Sequence, residues 1–231
     1  MDLQHLTGKS LAALFDHTNL KPGVSRRDLE KLCAEAKEYG FASVMVNSAH
    51  VALCRKLLGS APVMVGTVAG FPLGQMSVDA KVFEARTAIA DGADEVDWVV
   101  NLTNVKDGEW DLVRDEMERI TSACHRLGAG TKVILENCYL TKEEIGRLCA
   151  IAREVRPDFV KTSTGFGTGG ALPEDVRLMK EIVGDDVKVK AAGGIRDWPS
   201  CRAMLEAGAE RIGASAGKQI LNAFLAAGKE K

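Results

Sequence analysis

The sequence predicts an α/β fold, a closed (β/α)8 barrel, and three observations carry that prediction. Short runs rich in Val and Ile recur along the 231 residues, longer amphipathic stretches separate them, and glycines close several of those stretches. Strict alternation of strand and helix is what a barrel of parallel strands requires.

The runs are, in order, Phe15–Thr18 (the weakest), Ser43–Val46, Val63–Val68, Glu95–Val100, Lys132–Glu136, Phe159–Thr162, Val187–Lys190 and Arg211–Gly213. Runs this short and this β-branched read as strands buried on both faces. Helical patterns span Ser25–Tyr39, Asp79–Ala90, Trp110–Leu127, Lys142–Val155, Pro173–Val183, Pro199–Ala207 and Ala216–Ala226. In the first, Leu29, Leu32, Cys33 and Ala36 share a face, with Glu30 and Lys37 away from it. Thr141 and Glu144 form a Thr-x-x-Glu capping box, and Pro173 and Pro199 suit a first helical position. Gly40, Gly92, Gly128 and Gly208 each follow a helical pattern and precede a strand. An open doubly wound sheet is the alternative fold. It usually carries G-x-G-x-x-G after its first strand, and Asp16 to Gly23 holds only one glycine. No linker or composition break divides the chain, so residues 1–231 are read as one domain.

Composition narrows the function. Hydrophobic residues at 46% and charged residues at 27% give an ordinary globular balance. A formal net charge of -2 without a basic stripe argues against a nucleic-acid partner. Met1–Ser10 lacks an apolar core, so no secretion signal is expected, and no apolar run approaches the ~18 residues that span a bilayer. Cys33, Cys54, Cys124, Cys138, Cys149 and Cys201 are scattered without a C-x-x-C pair, which points to free thiols and the cytoplasm. His5, His17, His50 and His125 show no metal-binding spacing, so no metal is expected.

Barrel chemistry sits at the carboxyl ends of the strands. Those ends carry Asp16 and Thr18, Asn47, Asp97, Asn137, Lys161 and Lys190. A lysine inside a barrel is costly unless paired or neutral. Lys161 and Lys190 stand at matching ends of the sixth and seventh runs. Two ammonium groups ~4 Å apart repel by about 4 kcal/mol at an effective dielectric near 20, enough to bring one lysine toward neutrality near pH 7. A neutral amine is what imine formation needs. Lys188 has the same parity but lies earlier in its run, and reads as solvated or paired at the far end. Asp97, in an otherwise apolar run, can hold a lysine and relay protons. Asp16, Thr18 and Asn47 are candidates for substrate hydroxyls. For Asp16 and Thr18 the competing reading is a local turn, and for His17 the structural reading is preferred. Glycine-rich turns follow the last three runs: Gly165 and Phe166 in the first, Gly193 and Gly194 in the second, Gly213 and Ser215 in the third. Exposed backbone N–H groups there would hold a phosphate.

Together these segments resemble the deoxyribose-phosphate aldolase family. The resemblance runs in order through Asp16-His17-Thr18, Gly70-Phe71-Pro72-Leu73-Gly74, Asp94-Glu95-Val96-Asp97, Val160-Lys161-Thr162-Ser163-Thr164-Gly165, Val189-Lys190, Gly193-Gly194-Ile195 and Gly213-Ala214-Ser215. It implies a TIM barrel and a class I aldolase. Lys161 would form an imine with acetaldehyde, and the derived enamine would add to D-glyceraldehyde 3-phosphate to give 2-deoxy-D-ribose 5-phosphate. Asp97 and Lys190 would move protons and tune Lys161, with no cofactor. The implied partners are acetaldehyde and a small phosphorylated sugar, and the implied assembly is a homodimer or homotetramer. Three features depart from the family pattern. Phe166 stands where some members carry lysine, Phe224 to Lys231 contains no tyrosine, and Met45 replaces a frequent cysteine. The alternatives are a transaldolase-like Schiff-base barrel, a phosphosugar isomerase or synthase barrel whose lysines only bind phosphate, and a ligand-binding barrel.

Overall fold

A computed structural model describes residues 3–229 of the chain. Eight parallel strands close in sequence order: β1 (Phe15–Asn19), β2 (Ser43–Val46), β3 (Met64–Ala69), β4 (Glu95–Val99), β5 (Gly130–Ile134), β6 (Phe159–Lys161), β7 (Lys188–Ala192) and β8 (Arg211–Ala214). The helices are α1 (Gly8–Ala12), α2 (Arg26–Tyr39), α3 (Val51–Leu58), α4 (Val78–Ala90), α5 (Leu102–Lys106), α6 (Trp110–Arg126), α7 (Lys142–Val155), α8 (Pro173–Val183), α9 (Trp198–Glu206) and α10 (Gly217–Lys229). The seven predicted helices are all present. The sequence reading passed over α3, which completes the eight-fold repeat, and the short α1 and α5.

Local chemistry explains the boundaries. Ser25 caps α2 and Thr141 caps α7, each in a reciprocal capping box, with Asp28 and Glu144 as third residues. Gly40 ends α2 in the left-handed conformation, at φ 68. Pro199 is the second residue of α9 rather than the first, because Asp197 caps the helix one residue earlier than expected.

Alternation along each strand separates two cores. Val44, Val65, Val96, Trp98, Val133, Val160, Val189 and Ile212 are fully buried in the core beneath the helices. Each such side chain stabilises the fold by roughly 1.5–3 kcal/mol. The opposite parity fills the barrel interior, and the register makes that interior charged. Asp97 pairs with Lys132, Lys161 with Lys190, and Lys190 with Arg211. Lys188 is exposed at the amino end of β7, as expected, with its ammonium group 5.7 Å from the centre of the Phe159 ring.

Candidate active site

Asp97 is the hub of the interior. It is fully buried on β4, and its Oδ2 accepts from Lys161 Nζ at 2.9 Å and from Lys190 Nζ at 2.8 Å. Lys132 Nζ lies 3.0 Å from the other oxygen and 2.7 Å from Glu95. Lys190 also pairs with Asp16, which accepts from Ser43 Oγ at 2.7 Å and from Arg211 Nη1 at 2.6 Å. Four cations and three carboxylates thus interlock inside the barrel, which is how buried charge becomes tolerable.

The charge states follow from that packing. Burial pushes the Asp97 carboxyl up, but Lys132, Lys161 and Lys190 outweigh it and hold the group well below the usual carboxylate range. Asp16 is held low in the same way: burial opposes, and Lys190, Lys132 and Arg211 prevail. Lys132 moves upward, because Asp97, Glu95 and Asp16 overcome the cost of its burial. Lys161 moves the opposite way, to about 8: burial lowers it, Asp97 resists, and Lys190 and Lys132 add to the lowering. Burial therefore leads the effect that the sequence reading assigned to Lys190.

Above this layer opens a cavity of about 630 Å³. Lys161, Lys190 and Met45 lie on its wall with Thr18, Gly165, Phe166, Gly193, Gly194, Gly213 and Ser215. Most predicted site residues thus converge on one space. Asp97, Asp16 and Asn47 are not among its lining residues. Asp16 is locked beneath Lys190, and Asn47 turns aside to donate from Nδ2 to the Leu20 carbonyl at 3.3 Å. Gly213 belongs to β8 rather than to a turn, and its bare Cα makes room for Lys190: a Cβ there would stand 3.0 Å from Lys190 Cε. The Phe166 N–H is already bonded to Thr164 Oγ1 at 3.0 Å. His17 is buried at the cavity wall, with Nε2 2.9 Å from Glu35, which also lines the cavity.

The sequence reading missed Lys132, Glu95 and Arg211. Their signal was parity: each lies an even number of residues from Asp97 or Lys190 on its own strand, or pairs across the sheet with one of them. Among the described residues, no three His, Cys, Asp or Glu side chains gather as a metal-holding group. No helix among them is long and apolar enough to cross a membrane.

A closed parallel barrel with lysines and a carboxylate converging under a cavity at the strand ends places the chain among the barrel lyases that act on carbon–carbon bonds. Within that class it belongs to the DeoC/LacD family of aldolases, whose family model matches residues 10–223. The chain is 51% identical over 213 residues to a deoxyribose-phosphate aldolase of Lactobacillus acidophilus, covering 92% of this chain and 90% of the relative. It is 51% identical over 218 residues to that of Thermococcus gammatolerans, covering 94% and 97%. Among solved structures, the tetrameric deoxyribose phosphate aldolase of Aeropyrum pernix superposes with a TM-score of 0.90 at 32% identity, covering 97% of this chain and 95% of that one. An aldolase designated QR15 gives 0.89 at 40% identity, covering 95% and 98%.

Proposed function

We propose that this aldolase reversibly cleaves 2-deoxy-D-ribose 5-phosphate to acetaldehyde and D-glyceraldehyde 3-phosphate, with Lys161 as the nucleophile. The observation that carries the reading is the single Asp97 oxygen shared by Lys161 and Lys190 beneath the cavity. Neutral Lys161 adds to the C1 aldehyde of the open-chain sugar, and loss of water leaves an iminium ion. A base takes the C3 hydroxyl proton, the C2–C3 bond breaks, and its electron pair flows into an enamine as glyceraldehyde 3-phosphate departs. Protonation at C2 and hydrolysis then release acetaldehyde and restore the amine. The iminium ion is the electron sink. Asp97, in contact with the reacting amine, and Lys190, bonded to the same Asp97 oxygen, hold and move the protons. The phosphate is received by the Gly165 and Gly193-Gly194 backbone and by Ser215 before the N-terminus of α10.

The support for a second copy is surface chemistry: Leu73 and Phe83 are 70% and 73% exposed, as an interface between copies would use them. A homodimer or homotetramer, a cytoplasmic location and a single domain over residues 1–231 complete the reading. Six free cysteines support the location.

The test is reductive trapping. Borohydride with acetaldehyde should place an ethyl adduct on Lys161, and purified protein should release glyceraldehyde 3-phosphate from 2-deoxyribose 5-phosphate. Lys161→Ala and Lys161→Arg should do neither, since arginine stays charged. An adduct on Lys190 would reverse the roles. Trapping only with a ketose phosphate would favour a transaldolase-like activity instead.

A further inference from the structure

Glu136 lies two residues beyond β5 with φ 57 and ψ 61, in the left-handed region that few non-glycine residues adopt. It is 2% exposed. Its side chain is turned under the connection between β6 and α8, residues 162–172, which has no regular secondary structure and contains Gly165, Gly167, Gly169 and Gly170. That connection supplies Thr164, Gly165 and Phe166 to the cavity wall.

One carboxylate organises it. The Thr164 N–H donates to Oε1 of Glu136 at 3.1 Å, and the Thr164 hydroxyl donates to Oε2. Thr164 Oγ1 in turn accepts the Phe166 N–H at 3.0 Å. Gly167 rests on the same group: a Cβ there would sit 3.2 Å from the Glu136 carboxyl carbon and 2.8 Å from Cys138 Sγ. Gly165, at φ 87, is therefore held on the cavity wall between two pinned peptides. A glycine-rich loop left free would lose conformational entropy on closing around an anion, and fixing it beforehand removes that cost.

We infer that Glu136 is a positioning residue that presets the β6–α8 loop for the substrate's phosphate, and so sets the preference for phosphorylated over unphosphorylated sugars. The inference rests on the phosphate site proposed above. Glu136 acts through Thr164 and does not need to touch the reacting atoms.

The test uses Glu136→Ala and Glu136→Gln, with inorganic phosphate as the probe in titration calorimetry and with 2-deoxyribose 5-phosphate and free 2-deoxyribose in kinetics. Turnover of the phosphorylated sugar by the wild type judges the substrate reading. The phosphate Kd judges Glu136, whatever the sugar. Glu136→Ala should raise the phosphate Kd and the KM for the phosphorylated sugar about tenfold, the effect of losing one or two such hydrogen bonds. Its kcat, and its kcat/KM for free deoxyribose, should stay within about threefold. Glu136→Gln keeps an acceptor for the Thr164 N–H and an amide for its hydroxyl, so it should recover most of the loss. Should Glu136→Ala fail to fold, Thr164→Val, which removes the hydroxyl's bonds to Glu136 and to the Phe166 N–H but keeps the Thr164 N–H bond to the carboxylate, should still weaken phosphate selectively. Equal losses on both sugars, an unchanged phosphate Kd, or no phosphate binding by the wild type would each overturn the inference.

Discussion

Lys161 and Lys190 are register partners on β6 and β7, and both ammonium groups reach the same oxygen, Oδ2 of Asp97. The pair is not equivalent. Lys190 also contacts Asp16, whereas Lys161 has Asp97 as its ion-pair partner. The lysine with less anionic support is the one that burial drives toward neutrality.

That difference predicts a pH profile. Lys161 is lowered to about 8, first by burial. Imine formation uses the neutral amine, so kcat/KM should rise about tenfold per pH unit below 8 and level off above it. Free 2-deoxyribose is the substrate of choice, because it has no phosphate to titrate. Lys190→Met should move the inflection to higher pH. An inflection that stays in place would mean that burial alone tunes Lys161. The variant should also lose about 3–5 kcal/mol of stability, since Asp16 and Asp97 would be left facing each other with less compensation.

Lys132→Met tests the charge layer away from the cavity. Lys132 Nζ sits 2.7 Å from Glu95 and 3.0 Å from Asp97, fully buried. Removing one partner of a buried ion cluster costs about 3–5 kcal/mol, so Tm should fall by roughly 10 °C at pH 7. A melt within 2 °C of the wild type, on a scale where about 1 kcal/mol moves Tm by 2–4 °C, would show that the layer relaxes without Lys132. Acid should act on the same network. Asp16 and Asp97 are held below their ordinary values in the fold, so their stabilisation is present above about pH 4 and is lost as pH falls toward their folded values. Wild-type stability should therefore drop steeply below pH 4 in denaturant titrations.

These residues also mark what the sequence could and could not reveal. Val and Ile runs located every strand but β1, whose Phe15–Thr18 was the weakest run, because each is buried on its outer face, and Lys161, Lys190 and Asp97 stood out as charge within apolar runs. Lys132 and Arg211 open their predicted runs, where a charged residue ordinarily marks a solvated strand end. Only the register shows that they point inward against Asp97 and Asp16. Asp16 reads in the sequence as a substrate-hydroxyl candidate, yet it is the second residue of β1 and its side chain lies below Lys190, where Arg211 and Ser43 hold it. Helix α3 escaped notice because eight residues offer barely two turns of periodicity.

Phe166→Lys should strengthen phosphate binding. Phe166 lies on the cavity wall, 50% exposed, with its ring edge-on to Phe71 at 5.3 Å. An ammonium group at that rim adds a partly solvated attraction of about 1 kcal/mol to the phosphate. KM for the phosphorylated sugar should fall about fivefold, while free deoxyribose is unaffected. A change shared by both sugars would assign Phe166 to packing with Phe71 instead.

Met45→Cys should make the enzyme vulnerable to acetaldehyde. Met45 is fully buried on β2, on the cavity wall with Lys161, and packs with Leu20, Val68 and Phe71. Its sulfur occupies the space that any side chain on Gly66 would need. Two acetaldehyde molecules condense and lose water to give an unsaturated aldehyde. On Lys161 that compound becomes an iminium ion with an electrophilic β-carbon. A thiolate adds there and forms a carbon–sulfur bond, tying residue 45 to Lys161; a thioether has no proton to lose and forms no stable adduct. The competing account is that Met45 only fills volume, and that any smaller residue weakens the fold by opening a void. Met45→Ala separates the two, because it opens a void without supplying a thiol. Incubated with high acetaldehyde, Met45→Cys should lose activity several-fold faster than both the wild type and Met45→Ala, and peptide mapping should find the cross-link. Equal rates for the two variants would leave the void as the whole explanation.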